Sequence, residues 1–313
     1  MNQTTAANPE IILDLPPEEY HARPELSRSQ GKRAMESPAD YHAEKMGWIP
    51  PLPITDKLNE GELTHTLLLE PHRFNDSVAI IPEEWYIDKP SEDGIETAVR
   101  LLKSNGARNT RGENQEIAWR EFEESAAGKI IVKEDQITKV RGMVGALAEH
   151  LGRLMHVEHA HCEPSLIWYD DLGGCRARPD YLLVSGNSAL VVDIKTTGAK
   201  TGREFNKFAQ RLGYLWQDVH YAAGVHACFP EVETVDFIFL AIHNPPTSSV
   251  GKSVTFSENF PHKVWPRKYT AEDRERGASR WRALRAELDE REASGDWSDP
   301  GAGQIETLTQ WWD

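Results

Sequence analysis

Arg178-Pro-Asp-Tyr-Leu-Leu-Val-Ser-Gly-Asn-Ser-Ala-Leu-Val-Val-Asp-Ile-Lys195 is the stretch whose reading decides the fold. Two apolar runs flank Gly186-Asn187, a dipeptide suited to a two-residue hairpin turn. With those two residues as the loop, Ser185 faces Ser188 and Val184 faces Ala189. Counting outward sets Asp180 opposite Asp193, with Cβ atoms ~5 Å apart on one face. Two carboxylates so placed repel unless a cation or a shared proton compensates, and a divalent metal is the simplest remedy. Alternation along the strand puts Lys195 on the face of Asp193 and sends Leu190, Val192 and Ile194 into the opposite layer.

This pattern supplies what phosphodiester hydrolysis needs. Hard oxygen ligands hold Mg²⁺, the metal lowers the pKa of a bound water, and an ammonium places that water or the scissile phosphate. Asp180 and Asp193 are therefore assigned to metal and Lys195 to water or phosphate. The competing reading makes the carboxylates solvated strand ends and Lys195 an edge-protecting lysine.

Around the hairpin, residues 1–17 hold Pro9, Pro16 and Pro17 and predict a loose arm. A helix is predicted from Ser27 or Ser29 to Met35, interrupted at Pro38, and a second over Asn59–Glu70, ended by Pro71. Residues 84–128 predict an irregular connection. Ile137, Val140, Val144, Leu147 and Leu151 recur at helical steps and predict a helix over about 133–155. Strands are expected at 165–169, 177–184, 190–196 and 235–242, with a helix over 203–223 before the last and another over 271–292 near the end. The order gives an α/β or α+β core, a central mixed sheet flanked by helices. The expected organisation is an arm (1–17), a catalytic domain (18–270) and a C-terminal helix and tail (271–313). On the 203–223 helix, Phe205, Phe208, Leu212, Leu215 and Val219 form one stripe, and Lys207, Arg211, Tyr214, Gln217 and Tyr221 another that suits phosphates and bases.

The chain of 313 residues carries 35 basic and 50 acidic side chains, net −15, which excludes a protein that coats nucleic acid with a broad basic surface. One enclosed basic path is still compatible with a phosphate backbone. Three scattered cysteines predict free thiols, and no long apolar run or signal peptide is evident, so a soluble cytoplasmic protein is expected. His156, His159, His161 and Cys162 lie close together but lack the spacing of a structural zinc site.

Arg-Pro-Asp180 followed by Asp193-Ile-Lys195 resembles the PD-(D/E)xK nuclease superfamily. Gly61-Glu-Leu-Thr-His65-Thr-Leu-Leu-Leu-Glu70-Pro71, Glu163-Pro-Ser-Leu-Ile-Trp168, Gln217-Asp-Val-His-Tyr221 and the opening Tyr20-His-Ala, Leu26-Ser-Arg-Ser29 and Ser37-Pro38 resemble the RecE-type exonucleases and their phage relatives in order and spacing. The likeness spans about residues 18–245. It implies that His65 ligates metal from a helix, that Glu163 is an acidic helper, and that the Ile194 carbonyl completes the coordination of Asp180 and Asp193. It further implies Mg²⁺ replaceable by Mn²⁺, with Lys195, Gln217 and Tyr221 in the catalytic set. The substrate implied is linear double-stranded DNA, digested 5′ to 3′ to leave 3′ overhangs for a RecT-like annealing partner in a bacterial host cytoplasm. A RecB-like endonuclease, a single-strand nuclease or a non-catalytic DNA-binding module are the alternatives. Ser37 stands where iron-sulfur relatives carry cysteine, and no C-terminal cysteine trio follows, so no cluster is expected.

The resemblance and the charge conflict together lead to an expected ring of three or four copies around DNA. Arg203, Lys207 and Arg211, with Arg100, Lys103, Arg108 and Arg111, are its candidate lining, and Trp281, Trp311 and Trp312 its candidate interface.

Overall fold

Gly186 adopts φ +59°, the left-handed conformation that a tight hairpin turn demands, and Ser185 pairs with Ser188 as counted from the sequence. The computed structural model describes residues 8–49, 56–81, 121–152, 160–244, 248–249, 252–253 and 261–300. Trp85, Arg100, Lys103, Arg108, Arg111, Trp119, His156, His159, Trp311 and Trp312 lie outside the described residues.

The hairpin strands, β7 (Tyr181–Ser185) and β8 (Ser188–Thr197), sit in a five-stranded sheet of order β12-β9-β8-β7-β4, with β4 at Ala160–Cys162, β9 at Thr234–His243 and β12 at Val264–Arg267. β8 and β9 are parallel, and the other pairs are antiparallel. The central strand β8 is buried on both faces, which explains its nearly continuous apolar run. A smaller antiparallel sheet joins β1 (Glu10–Ile12), β5 (Ser165–Asp170) and β6 (Gly173–Ala177). β2 (Val78–Ile80) and β3 (Ile130–Val132) form a parallel pair, and β10 (Ser248–Ser249) and β11 (Lys252–Ser253) an antiparallel one.

Helices cover both faces of the large sheet. On one, α4 (Asp56–Leu69) and α6 (Glu134–Leu151) bring Leu63, Val140, Met143 and Leu147 onto Val192, Ile194, Leu240 and Ile242. On the other, α7 (Gly202–Arg211) and α8 (Tyr214–Cys228) pack Phe205, Ala222 and Val225 against Val191, Phe237 and Phe239. Each large apolar side chain so buried contributes about 1.5–3 kcal/mol. α2 (Arg28–Glu36), α3 (Pro38–Lys45) and α9 (Ala271–Ser294) close a third cluster around Ala34, Tyr41, Trp281 and Leu288. Two short helices, α1 (Pro17–Ala22) and α5 (Pro71–Ser77), both begin on proline, whose missing N–H costs nothing at that position.

Four expectations are corrected. The strand expected over 177–184 is two strands in different sheets: Pro179, with no N–H to give a ladder, lies in the crossing from β6 to β7. The single helix over 203–223 is broken at Gly213, φ +66°, and Leu212, placed in the apolar stripe, is 38 % exposed. The arm is tied down where Glu10–Ile12 pair with β5. Trp281 is only 5 % exposed and sits over Gly31 of its own chain, where a Cβ would collide with the indole, so it is not free to form an intersubunit contact.

Candidate active site

The β7–β8 ladder runs out to Tyr181 opposite Val192, and the next position outward sets Asp180 against Asp193. Asp180 Oδ2 accepts the Ile194 N–H at 2.5 Å, and Oδ1 lies 3.5 Å from His65 Nδ1. Asp193, 1 % exposed, meets Lys195 Nζ at 2.5 Å on Oδ1 and accepts the Gln217 amide on Oδ2. Imidazole, ammonium and N–H donors thus offset the facing carboxylates, a compensation wider than the metal inferred from the hairpin alone.

The two carboxylates differ in basicity. Burial raises Asp193 to about 6, with Asp180 adding to the rise and Lys195 opposing it. Burial also pushes Asp180 upward, but the charge and hydrogen bond of His65, together with Lys195 and the Ile194 N–H, hold it below its ordinary value. His65 and Lys195 are both raised: burial works against their charged forms, and the neighbouring aspartates outweigh it. Glu163 is raised by burial and by Asp180 and Glu70. Its backbone sits at φ +49°, a conformation costing a non-glycine residue about 1–3 kcal/mol, while its N–H donates to the Asp180 carbonyl at 3.0 Å.

Donor chemistry fits a divalent cation. His65 Nε2 lies 3.1 Å from the Ile194 carbonyl oxygen, so an imidazole nitrogen, that carbonyl and the Asp180 carboxylate converge. Asp193 Oδ1 lies 2.5 Å from the Lys195 ammonium, so this buried carboxylate already holds a cationic group beside the other oxygen donors. Among the described residues no three His, Cys, Asp or Glu side chains surround one point, because Asp193 turns toward Lys195 and Gln217.

The break at Gly213 sets the phase of α8. Gln217 is buried on Asp193, and Tyr221 lines the same cleft. Tyr214, expected on a DNA-facing stripe, instead stacks on Phe239 at 5.3 Å and lies 5.2 Å below the Lys195 ammonium. Arg203, Lys207 and Arg211 are exposed on α7.

Beside Lys195 opens a cleft of about 290 Å³ lined by Tyr20, His21, Ser27, Arg28, Ser29, Arg178, Lys195, Gln217 and Tyr221. Five of these come from residues 20–29, to which sequence reasoning gave no role; the only signal was the motif resemblance over that stretch. Ser27 caps α2 in a reciprocal box with Gln30, which sets Arg28 and Ser29 in the first turn beside the cleft. Arg28 donates to the Leu212 and Gly213 carbonyls at 2.8 and 3.0 Å, while its buried Nε has no hydrogen-bond partner. Tyr20 is covered by Arg176 and Arg178 at 5.3 and 4.2 Å.

Comparisons with known proteins bear on the fold and the family. A crystal structure of a "Putative exonuclease" from Eubacterium rectale superposes with a TM-score of 0.51 and 10% identity, over 95% of this chain and 96% of that one, a likeness of fold. A search of curated proteins finds no match. Residues 27–260 match the family described as PDDEXK-like domain of unknown function (DUF3799), and the chain belongs to that family.

Proposed function

We propose that the protein is a divalent-metal-dependent deoxyribonuclease that digests linear duplex DNA from its ends, 5′ to 3′, and leaves 3′ single strands for an annealing partner. The observation that carries the nuclease reading is the convergence of His65, Asp180, Asp193, the Ile194 carbonyl and Lys195 at the open end of one hairpin. His65, Asp180, Asp193 and the carbonyl would hold the ion, with Glu163 beside them. When bound, such an ion would supply an acidified water and neutralise negative charge developing on the phosphoryl oxygens. Lys195 orients the water or the scissile phosphate, and Gln217 holds Asp193 in place.

End recognition is supported by the cleft. Ser27, Arg28 and Ser29 at a helix N-terminus, with Arg178 in the same cleft, suit a terminal phosphate next to Lys195, and Tyr221 offers an aromatic ring to the attached base. Exposed Arg203, Lys207 and Arg211 give an otherwise acidic chain a basic strip for the incoming duplex. Polarity, annealing partner and a trimeric or tetrameric ring rest on the RecE-type resemblance. Among the described residues no helix is long and apolar enough to cross a membrane.

The test is digestion of 5′-end-labelled linear and covalently closed duplexes with Mg²⁺, Mn²⁺ or Ca²⁺, alongside light scattering. The expected outcome is early release of label from linear DNA with Mg²⁺ or Mn²⁺, little turnover with Ca²⁺, and intact circles. Cutting of circles would replace the exonuclease by an endonuclease, and binding without turnover would leave a DNA-binding module. A monomeric mass with processive digestion would remove the ring.

A further inference from the structure

His65 owes its place to α4, and α4 is held from behind by an unusual group. Glu60, 3 % exposed, accepts Lys139 Nζ of α6 at 2.7 Å on Oε2, and Asn244 Nδ2, just past β9, donates to the same oxygen at 3.0 Å. Lys139 is 1 % exposed. The surrounding layer is apolar, formed by Leu63, Val140, Met143, Leu240 and Ile242. Two charges stripped of water recover their lost hydration only with good geometry, and apolar side chains of similar volume generally stabilise such a layer as well or better. What charges add is direction, since apolar contacts tolerate a helix sliding and a three-way polar contact does not.

Direction matters here because α4 lies in step with β8. A Cβ at Gly61 would approach Thr196 Oγ1 to 3.0 Å, and His65 Nε2 meets the Ile194 carbonyl at 3.1 Å. Four helical residues advance ~6 Å and two strand residues ~6.6 Å, so the antiparallel helix and strand match over this contact. A slide of α4 by a fraction of a turn would take His65 away from both Ile194 and Asp180.

We propose that Glu60, Lys139 and Asn244 are positioning residues that fix the axial place of α4 and thereby hold His65 against Ile194 and Asp180. The metal-dependent reading enters only in what His65 does there. The test compares the full-length E60L/K139M variant with wild type by crystallography, thermal melting and Mn²⁺ titration. The neutral pair should melt close to wild type. His65 Nε2 should leave the Ile194 carbonyl by more than about 1 Å, and Mn²⁺ should bind at least about tenfold more weakly, as on loss of a support behind a metal ligand. An unchanged His65–Ile194 contact would overturn the proposal, since a merely stabilising pair predicts that result. Should the double variant not fold, Asn244→Leu, which leaves the ion pair intact, takes its place: a displaced His65 supports the proposal and an unmoved one overturns it. Displacement of His65 in a protein whose wild type binds no Mn²⁺ would sink the metal reading and keep this one.

Discussion

The two helical layers that grip the hairpin hold their halves of the site by different means. Behind it, α4 delivers His65 and is tied down by Glu60 and Lys139, both nearly free of solvent. In front, α8 delivers Gln217 and Tyr221 and is fastened to α9 through groups with displaced protonation. Asp218 Oδ1 accepts Arg274 Nε at 2.8 Å, and burial raises Asp218 to about 6 against the pull of that guanidinium. His220 accepts the Trp281 indole N–H on Nδ1 at 3.1 Å and donates from Nε2 to the Arg176 carbonyl at 2.9 Å. Burial lowers it to about 3. The strength of the front support is therefore linked to pH, and the facing carboxylates Asp180 and Asp193 lie between the two layers.

Asp180 joins the back layer to the hairpin, so its loss should have the largest effect. Asp180→Asn keeps an acceptor for the Ile194 N–H but removes the charge facing His65. Cleavage should fall by about 10²–10³-fold or more with melting nearly unchanged, as for loss of one preorganised charge contact. Comparable activity in the variant would show that the layers do not meet at this residue.

Arg274→Met should strike the front layer alone. It leaves Asp218, wholly buried, without its cation, and breaking one partner of such a pair costs about 3 kcal/mol. A carboxyl whose folded pKa lies above its ordinary value adds stability at low pH and loses it as pH rises through the folded value. The penalty should therefore be small near pH 4 and grow above pH 6. Chemical denaturation at both pH values measures it, and a pH-independent penalty would break the contrast between the layers.

At neutral pH the smallest effect should come from His220. Its folded pKa is depressed from 6.5 to about 3, so its contribution is full above pH 6.5 and drains away as pH falls toward 3, at about 1.4 kcal/mol per pH unit for one proton. His220→Gln should be less stable at pH 7.5 and lose stability less steeply on acidification. Parallel pH slopes for the two proteins would remove His220 from the front support.

Turn, register and the facing aspartates were legible in the linear chain because each depends on neighbours: a Gly-Asn turn, alternation of period two, and counting outward. Ser27 and Ser37 likewise announce their helices by capping them, a contact that spans three residues. Periodicity failed over 203–223 because the apolar steps continue across Gly213 while the backbone does not, so Tyr214 and Gln217 are turned inward. Nothing local marked the cleft, whose walls join residues 20–29 to Arg178, Lys195 and Tyr221.

By itself the sequence determined the hairpin, the facing placement of Asp180 and Asp193 with Lys195 beside them, and the alternation of strands and helices, since these follow from local backbone preference and side-chain type. Only the tertiary structure decided that Gln217 and Lys195 share Asp193, that Arg28 and Ser29 flank them, and that a buried Glu60–Lys139 pair stands behind His65. Those contacts join residues far apart in the chain, and their energies depend on burial and on packing between layers, neither of which a residue carries in its own neighbourhood.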